Sequence, residues 1–338
     1  MNRRRWIAVL IAIGVAVISL SGIAINSVND NQEESLSSLL TSQETLKESI
    51  ITPGDSSQKI AKITIDGVIA DTQGNSLLSS SGYNHQQTLE MIKKIDNDDT
   101  VKAVLLEVNS PGGGVYESSE LAKSLQKLQA HHKPIYVNMK NMAASGGYYI
   151  SAAADKIYAS EETVTGSIGV IMSGMNYASL LDKLGVKDQT YKSGALKDMG
   201  SSTRATTPEE SKVLQEHVDR AYNRFVDVVS KGRKMDIETV KKLADGRIYD
   251  GLQAKENGLI DEIGFEEDCL ADLQNKYDLK DAQIIEYTTN TPNFLASWLN
   301  QAKTNLLKPQ ASAEETVKAI VQVIGTPQAP KAMYYYGG

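Results

Sequence analysis

The sequence predicts an α/β domain with a largely parallel sheet. From residue 59 onward, segments of strand character alternate with segments of helical period, the order that builds parallel sheets through helical crossovers. The segment 101–108, VKAVLLEV, is an apolar run suited to a buried strand. Two glycine-rich loops each come soon after a strand candidate, where α/β sheets place their sites, beyond the carboxyl ends of strands.

The elements follow in order. Residues 60–65 (IAKITI) read as a strand closed by Gly67, and 85–95 as a helix. After the strand at 101–108, residues 116–130 form a helix with Leu121, Leu125 and Leu128 on one face. Strands at 134–137 and 156–159 bracket a short helix after Ser145, and 167–172 is apolar and extended. The second half is more helical. Thr207-Pro208-Glu209-Glu210 joins an N-cap threonine, a proline at the first helical position and a glutamate at the capping-box position. Leu214, Val218, Ala221, Tyr222, Phe225 and Val229 continue that helix. Shorter helices are predicted at 240–243, 251–256 and 265–277. Beyond residue 290 the signal weakens. The span 291–338 reads as helices ending in an apolar, aromatic tail, expected to be loosely held.

The ends and the composition narrow the function. Residues 1–6 carry Arg3, Arg4 and Arg5, and residues 7–25 form a 19-residue run without charge. As a helix this run would span roughly 29 Å, close to the hydrocarbon thickness of a bilayer. A transmembrane signal anchor is expected, with the arginines cytoplasmic and the rest of the chain on the far side of the membrane. Residues 26–58 read as a polar linker, and 59–290 as the main domain. The net charge of −7 gives no basic footprint for nucleic acid. One cysteine, Cys269, cannot form an intrachain disulfide. His85, His131, His132 and His217 are scattered without metal-ligand spacing.

Chemistry is expected at the two loops. Asn109-Ser110-Pro111-Gly112-Gly113-Gly114 lacks the spacing of a phosphate cradle. It reads either as a plain turn or as a backbone that presents an N–H to a substrate carbonyl. Ala143-Ala144-Ser145-Gly146-Gly147 places a serine between strand and helix, suited to a nucleophile elbow with the Gly146 N–H beside it. An ordinary helix N-cap is the competing reading. A nucleophilic serine needs a base. No histidine lies between His132 and His217; the first closes a helix and the second sits within one. Lys192 and Lys197, in the loop YKSGALKD, are the other candidates. A catalytic lysine must be desolvated to lose its proton near neutrality, and a solvated surface lysine is the alternative.

Together these segments resemble the signal peptide peptidase A family of bacterial Ser-Lys peptidases, in its short, single-copy Gram-positive form. The resemblance rests on VNSPGGGVYES (108–118), MAASGGYYI (142–150), TGSIGV (165–170), KSGALKD (192–198) and ADGRIYDG (244–251), in that order. It implies a ClpP/crotonase-like fold, Ser145 as nucleophile and Lys197 as general base. It further implies Ser167 as a hydroxyl orienting the base, and Gly113 and Gly146 as oxyanion-hole donors. No metal or organic cofactor is required. The expected substrates are remnant signal peptides, and the expected assembly is a membrane-tethered homo-oligomeric ring, octameric in this form, in which a site can draw on neighbouring subunits. The Met333–Tyr336 tail is expected to dock in a substrate groove or be trimmed. Two other readings stand beside this one: a crotonase-like acyl-CoA enzyme, and a non-catalytic tethered scaffold.

Overall fold

Alternation within one strand decides where the core lies. β3 (Val101–Ser110) sends Val104, Leu106 and Val108 to one face and Ala103 and Leu105 to the other, and all five are fully buried. Both faces are therefore covered, which accounts for the apolar run. The computed structural model describes residues 46–71, 83–289 and 332–337, all within the unit Leu46–Gly338.

Among the described residues the sheet has nine strands. Its main path runs β1 (Leu46–Thr52), β10 (Ala282–Thr289), β2 (Asp55–Asp66), β3, β5 (Ile135–Ala144), β6 (Lys156–Ala159) and β9 (Glu262–Ile263). The β1–β10 pair is antiparallel, and the other pairs on this path are parallel. At the far end of β5, β7 (Val164–Gly166) pairs in parallel, and β8 (Ile248–Tyr249) pairs antiparallel with β7. A separate two-stranded ladder joins β4 (Gly112–Gly114) to β11 (Met333–Tyr335).

Helices are α1 (His85–Asn97), α2 (Val115–Ala130), α3 (Gly146–Ser151), α4 (Ala178–Lys183), α5 (Pro208–Arg233), α6 (Ile237–Leu243), α7 (Gly251–Glu256) and α8 (Glu266–Lys276). Ile92 and Ile95 of α1, Leu121, Leu125 and Leu128 of α2, and Phe225 and Val229 of α5 pack in the cluster of Val104 and Leu106. The opposite face receives Cys269 and Leu273 of α8. Burial raises the Cys269 thiol well above its usual range, which makes it a packing residue. The capping box at the start of α5 forms as expected: Thr207 Oγ1 accepts from Glu210 N (3.2 Å), and Glu210 Oε2 accepts from Thr207 N (2.8 Å).

The structure redraws some boundaries. The linker expected over 26–58 gives residues 46–52 and 55 onward to β1 and β2. Of the tail expected to be loosely held, residues 333–335 form a strand and Tyr334 is fully buried. The expected anchor at 7–25 lies outside the described residues, as do the helices expected between 291 and 331. Among the described residues no helix is long and apolar enough to cross a membrane.

Candidate active site

Ser145 sits where β5 turns into α3. Its backbone has φ 52° and ψ −113°, a conformation that costs a non-glycine residue about 1–3 kcal/mol. Its surroundings hold it there. Ser145 N donates to Gly166 O at 2.8 Å, and Ser145 O accepts from Tyr149 N at 2.8 Å. α3 is pinned by Tyr148 Oη, which donates to Leu259 O at 2.9 Å. No cap bond engages the Ser145 side chain. The serine is therefore a strained elbow, and the plain N-cap reading fails on geometry. Ser167 follows directly on Gly166, itself opposite Ala144 in the β5–β7 register, so the sheet brings Ser167 beside the elbow.

The triple-glycine segment approaches from the other side. Ile69 N donates to Gly112 O (2.8 Å) and Gly114 N donates to Ile69 O (2.9 Å). Strand alternation then turns the Gly113 N–H and C=O to the opposite edge, towards β11. There Gly113 stands opposite Tyr334, and Tyr336 N donates to Pro111 O at 2.8 Å. Hydrogen-bonded pairs recur every second residue in an antiparallel ladder, so Gly113 and Tyr334 form such a pair. The Tyr334 carbonyl also lies against Gly146. A Cβ added at Gly112, whose φ is 101°, would stand 2.1 Å from Tyr334 O and 2.5 Å from Gly146 N. Only glycine fits there. The Gly113 amide thus pairs with the Tyr334 carbonyl, and the Gly146 nitrogen lies near that carbonyl, beside the Ser145 elbow.

β11 is held on both edges. Met333 exchanges two hydrogen bonds with Ile171, N to O at 2.9 Å and O from N at 3.1 Å. An extended peptide bound between two backbone segments is strand addition. The Tyr334 side chain enters a closed pocket. It stacks on Tyr149 (4.8 Å between centroids, 21° between planes), tilts against Phe225 (4.7 Å, 58°), and donates its hydroxyl to Ala221 O at 3.0 Å. Upstream, Ala332 and Met333 border an open cleft of about 910 Å³. Asp71, Glu117 and Glu120 line it with Lys123, His217 and Arg224.

Lys197 belongs to the segment between α4 and α5. It is exposed. No hydrogen bond joins it to Ser145 within the chain. The loop around it is nonetheless firmly built. Asp198 accepts from Arg204 Nε (2.8 Å) and Nη2 (2.7 Å) and from Lys192 Nζ (2.6 Å). Arg204 Nη1 continues to Glu210 Oε2 at 2.9 Å. Hydrogen bonds from Arg204, then Lys192, hold the Asp198 carboxyl far below the usual carboxylate range. Arg204 likewise lowers Glu210 to about 2. Met175, Leu180, Leu184, Val186 and Tyr191 of this arm are solvent-exposed, and α4 buries no residue.

The chain therefore brings together Ser145, Gly146, Gly113 and Ser167, and leaves Lys197 exposed, without a hydrogen bond to Ser145. Sequence reasoning missed the Tyr149–Phe225 pocket and the pairing of Ile69 and Ile171 with the groove. It also missed that His85 is buried between Tyr83 Oη (2.5 Å) and Glu120 Oε2 (2.9 Å). Among the described residues no group of three His, Cys, Asp or Glu side chains could hold a metal ion.

Comparison with known proteins identifies the family. The sequence model of Peptidase family S49 matches residues 127–280, a span that includes Ser145 and Lys197. A putative signal peptide peptidase SppA of Enterococcus faecium is 51% identical over the whole of both chains. A putative protease of Methanocaldococcus jannaschii is 40% identical over 68% of this chain and 74% of its own. A chloroplastic serine protease of Arabidopsis thaliana is 33% identical over 61% of this chain and 30% of its own. Identity of this extent over a full-length relative, on a parallel-rich α/β sheet, places the chain among the serine peptidases of family S49, in the signal peptide peptidase A family.

Proposed function

We propose that this peptidase uses Ser145 as nucleophile and Lys197 as general base, with the Gly113 and Gly146 amides as the oxyanion hole. The observation that carries the proposal is β11 itself. A peptide strand lies beside the elbow, with its Tyr334 carbonyl paired to Gly113 and near the Gly146 nitrogen, and its Tyr334 side chain in an aromatic pocket. In this reading Tyr334 stands in for the residue before the scissile bond. The paired backbone edges suit a peptide, and nothing in the groove favours the acyl-CoA alternative.

The chemistry follows from the geometry. Neutral Lys197 takes the proton of Ser145 Oγ as the oxygen bonds to the carbonyl carbon. The negative charge on the carbonyl oxygen is met by two N–H groups, each typically worth about 100–1,000-fold in rate. Collapse breaks the C–N bond, and the lysine ammonium protonates the leaving amine. Water, activated by the same lysine, then hydrolyses the acyl-enzyme. Ser167, beside the elbow, orients the lysine.

The lysine comes from a neighbouring copy. Ser145 and Lys197 are not joined within one chain, and the arm carrying Lys197 is rigidly braced yet covered with unpartnered apolar residues. A homo-oligomeric ring would bury that arm and deliver Lys197 to the next subunit's elbow. The substrates are apolar peptides, remnant signal peptides foremost, and the N-terminal apolar run tethers the ring to the membrane. The test is Lys197→Ala in the full chain. Loss of peptide hydrolysis with assembly intact is expected; full activity would remove Lys197 from the mechanism.

A further inference from the structure

Ser118 Oγ is the one buried side-chain polar atom among the described residues that has no hydrogen-bond partner. Ser118 is fully buried, on the second turn of α2. Serines and threonines within helices commonly donate to the carbonyl four residues back. Ser124 does so to Glu120 O (3.0 Å), Ser151 to Gly147 O (2.7 Å) and Thr88 to Asn84 O (2.8 Å). Ser118 makes no such bond to Gly114. Leaving a buried hydroxyl unpaired costs about as much as a lost hydrogen bond, so its location matters.

It lies behind the oxyanion hole. A Cβ added at Gly146 would stand 2.6 Å from Ser118 Oγ and 3.0 Å from Gly113 N. The hydroxyl, the Gly113 amide and the Gly146 backbone therefore surround one point. We propose that Ser118 is a positioning residue of the oxyanion hole. Its O–H dipole, unpaired before reaction, turns its proton towards the negative charge that develops on the carbonyl oxygen held by Gly113 and Gly146. In a water-excluded site such a dipole acts with little screening. The inference rests on the reading of Ser145 as nucleophile.

Ser118→Ala in the full chain tests it, because alanine keeps the volume and removes only the dipole. Three quantities are read: the kinetics of peptide hydrolysis, the melting temperature, and the affinity for two ligands. One ligand is the neutral peptide amide of Ala-Met-Tyr; the other is the same sequence with a boronic acid in place of the carboxamide, which forms a tetrahedral adduct on Ser145 Oγ. Expected are a fall in kcat of about two- to tenfold with KM within about twofold, less than one hydrogen bond to a charged group, because Ser118 Oγ acts as a dipole without a bonded acceptor. Boronate affinity falls by the same factor and plain-peptide affinity does not. The melting temperature holds or rises, since an unpaired buried hydroxyl has been removed. Unchanged kcat and boronate affinity beside an inactive Ser145→Ala chain would overturn the Ser118 proposal alone. A melting temperature and a plain-peptide affinity that fall together with kcat would overturn it too, as a packing effect. Hydrolysis that survives in Ser145→Ala would overturn both.

Discussion

Removing the Tyr334 side chain should open the groove. Tyr334 is fully buried, stacked on Tyr149, packed on Phe225 and hydrogen-bonded to Ala221 O. Truncating a buried aromatic ring to alanine costs about 3–5 kcal/mol, and each 1.4 kcal/mol is tenfold in an equilibrium constant. Docking of β11 between Gly113 and Ile171 would weaken by about two to three and a half orders of magnitude. Because β11 occupies the strand position a substrate needs, it competes. Relief of competition lowers apparent KM and leaves kcat unchanged. We expect Tyr334→Ala to lower the apparent KM for a short fluorogenic peptide at least about tenfold. Tyr334→Phe, which loses only the bond to Ala221, should lower it about fivefold or less. The assay is steady-state hydrolysis by full-length chains at equal concentration. A KM for Tyr334→Ala within twofold of the parent would refute the competition argument, because the groove would then be open without help.

Two further outcomes follow from the arm. Mixing inactive Ser145→Ala chains with inactive Lys197→Ala chains should restore part of the activity, read as hydrolysis on mixing; no recovery after the chains exchange would contradict a site shared between copies. The Asp198–Arg204–Glu210 network should fail only in strong acid. Both carboxyls titrate below their usual range when folded, so their contribution is full above about pH 4.3 and lost as pH falls towards about 2 for Glu210. Protection over residues 188–206, measured relative to the intrinsic exchange rate at each pH, should fall between pH 5 and pH 2, and Arg204→Gln should show the same loss already at pH 7; equal protection at both pH values would speak against the network as the brace.

The sequence carried the parts of this fold that local physics determines. Leu121, Leu125 and Leu128 repeat at helical spacing and are all buried, and Thr207 and Glu210 cap α5 as their spacing requires. β5 was read only to residue 137, because NMKNMAA lacks the apolar signal of a buried strand; it stays extended to Ala144 through pairing with β3 and β7. Glycines disfavour strands, so β4 exists only because Ile69 and Tyr334 flank it. β1 pairs with β10 across most of the chain, and no local pattern announces so distant a partner. The elbow at Ser145 was legible from its small neighbours. The unpaired Ser118 and the aromatic pocket were not, since both arise where α2, α3, α5 and β11 converge.

The central claim is that Ser145 Oγ attacks the peptide bond, and hydrolysis by Ser145→Ala tests it most directly. With the full chain assembled and the Ala-Met-Tyr peptide still bound at parental affinity, the account predicts that kcat falls by at least about 10⁴-fold. Hydrolysis within tenfold of the parent rate would contradict it.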